Sequence, residues 1–354
     1  MNVVAFAERL VKNAPHVIRR EPVFLFTEIL LTYHCTQHCL HCKYPLIAPG
    51  TKAIPFESLK TIVDRLDDYG AHGIMLSGGD PILHPQLYDC MEYVASKKFT
   101  NLHMLSTLYF PTPKVEKLTA ALLKYKFSLT VSFDGLRETA DLLRGEKDVA
   151  RITMEHIEYL DKENRKKGRP IKTGVNVVVS QLNLHQIEEI LDYVDSLGWF
   201  ANVDIFRTPS IELPASDRLV IRDEERLKQV MERAKASPAV VTPSWVLDGF
   251  VKYLHGNAPK YCPYLLSPSF GSRFFVHPNG DVNVCFGSPI GNLLRQTPGE
   301  ILNSLAWDER VGEFKACTGC WNSCLTPFAK MTNYGVDDVR KNVSMMWNFR
   351  NGVK

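Results

Sequence analysis

Three cysteines within eight residues, Cys35-Thr36-Gln37-His38-Cys39-Leu40-His41-Cys42, form the densest group of metal-binding side chains in the chain. Thiolates in one loop can hold zinc, with His34, His38 or His41 completing the site, or they can hold a cubane iron–sulfur cluster. Three thiolates leave one of the four irons of a cubane open. An open metal position is what substrate chemistry needs, as in catalytic zinc and unlike structural zinc. A second set of thiols lies far downstream: Cys262, Cys285, Cys317, Cys320 and Cys324. Together they can fully ligate one cubane with one cysteine spare, and the Cys317/Cys320 pair would also serve structural zinc. Cys90 falls inside a helical pattern and reads as a small buried hydrophobe.

Elements must bring these residues together. Candidate strands at Phe24–Leu31, Gly73–Leu76, Leu102–Ser106, Ser128–Phe133, Thr173–Val179 and Asn202–Arg207 alternate with helical patterns at Phe56–Tyr69, Pro85–Lys98, Pro113–Tyr125, Val149–Lys166 and Leu184–Leu197. Repeated βα units carry a parallel sheet, and six of them predict a partial (β/α)6 TIM-like barrel with its chemistry at the C-terminal strand ends. The cysteine loop follows the first strand. The second ends in Ser77-Gly78-Gly79-Asp80-Pro81, where two glycines allow a close backbone approach.

A charged helical stretch, Ser216 to Ala236, precedes the Pro-bracketed connection Ser237 to Pro243. We divide the chain into an N-terminal amphipathic segment (1–23), the barrel (24–236) and a small cysteine-rich α+β iron–sulfur domain (237–354). The last part reads as short on helical periodicity, so a metal cluster could supply constraint that its core lacks. Within it, Phe274 to Cys285 reads as a hairpin turning at Asn279-Gly280 and presenting Cys285.

The 354 residues are 45% hydrophobic, enough for a sizeable core, and the net charge of +3 is spread rather than massed. Nucleic acid is therefore not an implied partner. No apolar run is long enough to cross a membrane, and Glu8, Arg9, Lys12 and Asn13 interrupt any signal-peptide core, which predicts a cytoplasmic protein with reduced thiols. Val3, Val4, Ala7, Leu10 and Val11 share one side of a short helix. That side could pack on the barrel or make a weak membrane-surface contact.

The Cys-x3-Cys-x2-Cys spacing after a first strand resembles the signature of the radical SAM superfamily, over about Phe24 to Arg207. The resemblance implies that Cys35, Cys39 and Cys42 hold a [4Fe–4S] cluster whose open iron chelates S-adenosyl-L-methionine. Reductive cleavage would yield a 5′-deoxyadenosyl radical, with a reductant such as flavodoxin or ferredoxin as partner. His41 stands where the family usually has an aromatic residue near the adenine. Gly78, Gly79, Asp80 and Pro81 match the family's Gly-Gly-Glu-Pro motif, with Asp in place of Glu. Ser132 and Arg144 resemble positions that hold the ribose and the methionine carboxylate, or else are a turn residue and an exposed helix-start charge. Ser106, Thr107 and Asn176 face the same cavity or serve as hydrogen-bonded strand residues. Arg207 binds substrate or forms a surface ion pair.

The downstream cysteines, with a Gly-x4-Cys element at Gly280 and Cys285, resemble the SPASM/Twitch extension of that superfamily. Fewer cysteines than a full SPASM domain implies one auxiliary [4Fe–4S] cluster. The expected activity is hydrogen abstraction from a small-molecule substrate, leading to oxidation, epimerisation or bond formation. A peptide-modifying maturase is the alternative, disfavoured because only about two dozen residues precede the first strand. A non-catalytic iron–sulfur or zinc protein would require neither the open cluster nor the glycine motif.

Overall fold

The computed structural model describes residues 3–19, 26–44, 53–207, 216–258, 262, 273–285, 287–317, 321–323 and 326. Six strands, β1 (Phe26–Thr32), β2 (Gly73–Gly78), β3 (Asn101–Ser106), β4 (Ser128–Ser132), β5 (Thr173–Val179) and β6 (Phe200–Ile205), pair in chain order and all in parallel. Helices α2 (Phe56–Tyr69), α3 (Leu87–Ala95), α4 (Thr112–Tyr125), α5 (Arg137–Arg144), α6 (Val149–Lys166) and α7 (Ile187–Leu197) connect them, after an N-terminal α1 (Val3–Arg19). This is the α/β partial barrel expected from the alternating pattern.

Strand alternation sorts the side chains. Ile29, Leu31, Ile74, Leu76, Leu129, Val131, Val175, Val177, Ala201 and Val203 join one apolar core with the covering helices. The intervening positions face the barrel interior, where an ordinary barrel stacks branched apolar residues. Here they include Glu28, Ser77, Thr130, Ser132, Asn176, Asn202 and Asp204. A polar interior is costly unless its groups are paired, and here Ser77 donates to Glu28 at 2.5 Å and Asn202 to Asn176 at 3.0 Å.

The segment after residue 237 differs from its expected form. It holds a well-formed helix α10 (Ser244–Leu254), preceded by α8 (Ser216–Leu219) and α9 (Glu224–Ala236), and later α11 (Pro298–Leu302) and α12 (Leu305–Ala316). Helix α12 has only Trp307 and Phe314 buried, so its apolar spacing was too sparse to announce it. The hairpin is present as β7 (Arg273–Val276) and β8 (Asp281–Asn283), followed by β9 (Gly291–Asn292). It does not stand apart: β7 pairs in parallel with β1, extending the barrel sheet to nine strands.

A second contact ties the far end of this region to its own helix α10. Trp321 donates its indole N–H to Val246 O at 2.7 Å and meets Trp245 edge-on, with centroids 5.7 Å apart. Its ring lies over Gly249, where an added Cβ would sit 2.0 Å from the indole. Gly249→Ala is expected to cost about 1–3 kcal/mol through overpacking and to open the 317–326 region to protease. Chemical denaturation with limited proteolysis checks this, and an unchanged midpoint and digest would show that the indole has room to shift.

Helix α1 docks through polar residues. Arg9, 2% exposed, donates to Lys98 O at 3.0 Å and Asp67 O at 2.7 Å and pairs with the Asp67 carboxylate. Asn13 donates to Gly70 O at 3.0 Å. Of the apolar face named from the sequence, Val11 is 75% exposed. The side chains of Val3, Val4, Ala7 and Leu10 lie outside the described ones.

Candidate active site

Strand β1 ends at Thr32, and the chain then carries three thiols across the C-terminal edge of the sheet. Backbone hydrogen bonds pin this loop from two directions. Gly79 N–H donates to Thr32 O at 2.7 Å and Asp80 N–H to His34 O at 2.7 Å, fixing its start to the end of β2. His38 N–H donates to Arg144 O at 2.9 Å and Leu40 N–H to Leu143 O at 2.9 Å, fixing its middle to the last turn of α5. The thiols are thereby placed by a frame that does not involve sulfur.

The glycine pair belongs to this frame. A Cβ on Gly78 would lie 2.1 Å from Thr32 O, and one on Gly79 would lie 2.2 Å from His34 O. The close approach that two glycines permit is made here by the backbone of the cysteine loop. Asp80 is wholly buried and accepts from Ile82 N at 3.1 Å, Thr107 N and Thr107 Oγ1 at 2.8 Å each, and Ser106 Oγ at 3.1 Å. Burial pushes its pKa up while these hydrogen bonds pull it down. Asp80, Ser106 and Thr107 thus lock the ends of β2 and β3 to each other, and Pro81 opens the short 3-10 turn that follows.

Arg144 and Asp134 form a buried ion pair, 5% and 3% exposed. The Arg144 guanidinium also donates to Cys39 Sγ at 3.7 Å. The Asp134 carboxylate accepts from Val178 N at 2.8 Å and lies 3.9 Å from His41 Nε2. Burial lowers the pKa of His41, favouring its neutral imidazole. Arg144 is therefore neither exposed nor detached from the cysteines: it stands against one of the three thiols. Asp134 was visible in the sequence only as the residue between an apolar strand and Gly135, a pattern that also describes ordinary turns.

Burial pushes the Cys35 thiol up to about 12, with Asp80, Cys39 and Cys42 adding their charges. Cys39 and Cys42 are also raised by burial, and Arg144 pulls Cys39 back. Three such thiols ionise together only when positive charge compensates them, as a bound metal group does. Three thiols in one pinned loop, with the Arg144 guanidinium donating to Cys39 at 3.7 Å, are a donor set that fits a cubane with one iron left open.

Inside the barrel, Ser132, Asn176 and Asn202 occupy one rung across β4, β5 and β6. Asn202 Nδ2 donates to Asn176 Oδ1 at 3.0 Å and to Ser323 Oγ at 3.0 Å. Arg207 Nη2 reaches Asp204 Oδ2 at 3.4 Å at the end of β6.

Of the downstream cysteines, Cys262 and Cys285 are half-buried and Cys317 is exposed, while Cys320 and Cys324 lie outside the described residues. Lys43 lies within electrostatic range of both regions. Burial lowers its pKa to about 8, while charge on Cys285 and on Cys42 acts in the opposite sense. Charges on both thiols therefore act on the same ammonium. Tyr33 and His277 form a direct link, a hydroxyl–imidazole hydrogen bond between the ends of β1 and β7. Neither Lys43 nor His277 carried a sequence signal, because their partners lie on the far side of the chain.

No described helix is long and apolar enough to cross a membrane. Residues 29–194 match the radical SAM superfamily. The AdoMet-dependent heme synthase of Methanosarcina barkeri (strain Fusaro) is 28% identical over 221 residues, 61% of this chain and 57% of that protein. The antilisterial bacteriocin subtilosin biosynthesis protein AlbA of Bacillus subtilis (strain 168) is 26% identical over 178 residues, 50% of this chain and 38% of that protein. The chain thus spans between about two fifths and three fifths of these relatives. Streptococcus suis SuiB bound to S-adenosylmethionine shares the fold, with a TM-score of 0.62 at 15% identity over 87% of this chain and 75% of that one.

Proposed function

We propose that this chain, whose residues 29–194 match the radical SAM superfamily, is a radical SAM enzyme that abstracts hydrogen from a small molecule. Cys35, Cys39 and Cys42 would hold the [4Fe–4S] cluster that the superfamily implies. When bound, that cluster would supply the one-electron reduction that cleaves S-adenosylmethionine and starts hydrogen abstraction. The observation that carries the reading is the pinned loop, which sets three thiols at the C-terminal strand edge with Arg144 donating to Cys39.

The remaining residues bind and orient. Gly78, Gly79, Asp80 and Pro81 hold the loop start. Arg144 and Asp134 hold its middle, and neutral His41 offers a flat ring beside them. Ser132 and Asn176 supply polar groups for the cofactor. The polar interior supports a small hydrogen-bonding substrate.

A maturase acting on a peptide is the second reading, favoured by the subtilosin biosynthesis protein among the relatives. The test is to incubate the reduced protein with S-adenosylmethionine and candidate substrates in deuterated and unlabelled form. Deuterium transferred into 5′-deoxyadenosine from a small molecule supports the first reading, and transfer only from a peptide supports the second.

We assign one auxiliary cluster to the downstream cysteines, within a C-terminal unit at 237–354 that follows the N-terminal segment (1–23) and barrel (24–236). Cys285 follows β8, which is held in the sheet through β7. Cys285→Ala is expected to lose the auxiliary iron and keep the first cluster, since the latter's loop is framed independently. Mössbauer spectra check this. Two full clusters in the variant would show Cys285 to be only a packed residue beyond β8.

A further inference from the structure

A chain of hydrogen bonds crosses from the C-terminal cysteine region into the barrel. The Asp204 carboxylate is an acceptor, taking Ile205 N–H at 2.8 Å and Ser323 N–H at 3.4 Å. The Ser323 hydroxyl also bonds to Asp204, so its single proton is spent there. Ser323 Oγ must then accept from Asn202, at 3.0 Å, which turns the NH2 of Asn202 toward Ser323 and Asn176. The same NH2 donates to Asn176 Oδ1 at 3.0 Å, and Asn202 Oδ1 faces the Thr242 hydroxyl at 3.2 Å. With its oxygen occupied by Asn202, Asn176 has its NH2 left to offer a ligand. The orientation of one amide is set by an acid two positions along the next strand and by a loop from the end of the chain.

We propose that Asn202 is a positioning residue: it orients Asn176 so that the barrel presents an N–H donor to an oxygen acceptor of S-adenosylmethionine, and it anchors residues 321–323. The proposal rests on the reading that Asn176 faces the cofactor. Ser323 lies between Cys320 and Cys324, so a single side chain ties the cofactor rung to the loop that carries two of the downstream cysteines. That loop has its own anchor in Trp321, which makes the Asn202 contact a link of alignment more than of attachment.

The test uses the anaerobically reconstituted full chain and variants Asn176→Ala, Asn202→Ala, Asn202→Asp and Ser323→Ala. S-adenosylmethionine affinity is measured by calorimetry, its perturbation of the reduced cluster's paramagnetic resonance is recorded, and protease cleavage within 317–326 is timed. Loss of one oriented hydrogen bond predicts that Asn202→Ala weakens binding about three- to tenfold and speeds cleavage. Asn202→Asp keeps the volume but can only accept, which turns Asn176 around and weakens binding by about tenfold or more. Ser323→Ala removes the acceptor that turns the Asn202 amide, so it should speed cleavage and weaken binding by up to the same three- to tenfold as Asn202→Ala, about one lost hydrogen bond.

If Asn176→Ala weakens binding while both Asn202 variants bind and perturb the resonance as the parent does, the positioning role is overturned and the Asn176 reading stands. If Asn176→Ala also binds as the parent, the Asn176 reading itself fails and takes the proposal with it. Should Asn202→Asp not accumulate as folded protein, Asn202→Ala carries the comparison alone.

Discussion

Replacing Cys35, Cys39 and Cys42 together with Ala is expected to reduce 5′-deoxyadenosine formation to background and to remove about four irons per chain. The barrel should remain folded. The loop's frame consists of backbone bonds from Gly79, Asp80, His38 and Leu40, none of which uses sulfur. The lost thiols are half-buried loop groups rather than members of the main core. Iron analysis, circular dichroism and cleavage assays on one preparation check the three parts together. Cleavage at the parental rate in a folded triple variant would remove the first cysteine cluster from the mechanism.

Arg144→Met is expected to be the most damaging single change outside the cysteines. It leaves the Asp134 carboxylate, 3% exposed, without its counter-ion, and breaking a buried pair in this way costs about 3–5 kcal/mol. Val178 N–H remains as a donor to Asp134 but carries no charge. The cost should fall in the double variant Asp134→Asn/Arg144→Met, which removes both charges, so the cycle is non-additive. Arg144→Lys should not rescue it, because an ammonium cannot bridge Asp134 and Cys39 as the guanidinium fork does. Urea denaturation of the parent, Arg144→Met, Asp134→Asn, the double variant and Arg144→Lys, with iron content beside it, measures both effects. A single-variant loss below about 1 kcal/mol would mean that solvent screens the pair.

The barrel was legible because its signals are local. The β-branched run at Thr173–Val179 and the 3.6-residue patterns of Phe56–Tyr69 and Val149–Lys166 fall where the elements form. Strand ends shifted by one or two residues, as at β2, where the strand runs on through Ser77 to Gly78 because Ser77 pairs with Leu30 of β1. Helix α5 escaped notice. Its eight residues bury only Ala140, Leu143 and Arg144, which is too short a stretch for periodicity to register.

The site was half legible for a related reason. Cysteine spacing and a Gly-Gly turn are written in neighbouring residues, whereas the groups that hold them come from elsewhere. Asp134, Lys43, His277 and Asn202 acquire meaning only from partners brought near by the sheet. The parallel pairing of β7 with β1 was equally hidden, since a four-residue strand does not state which edge it will join. That pairing decides where Cys285 sits relative to the first three cysteines.

The decisive measurement incubates the anaerobically reconstituted wild-type protein with dithionite and S-adenosylmethionine and separates the products. The expected result is 5′-deoxyadenosine and methionine in equal amounts, formed only when both reductant and iron are present. Intact S-adenosylmethionine after incubation of a protein shown to hold a reduced [4Fe–4S] cluster would contradict it.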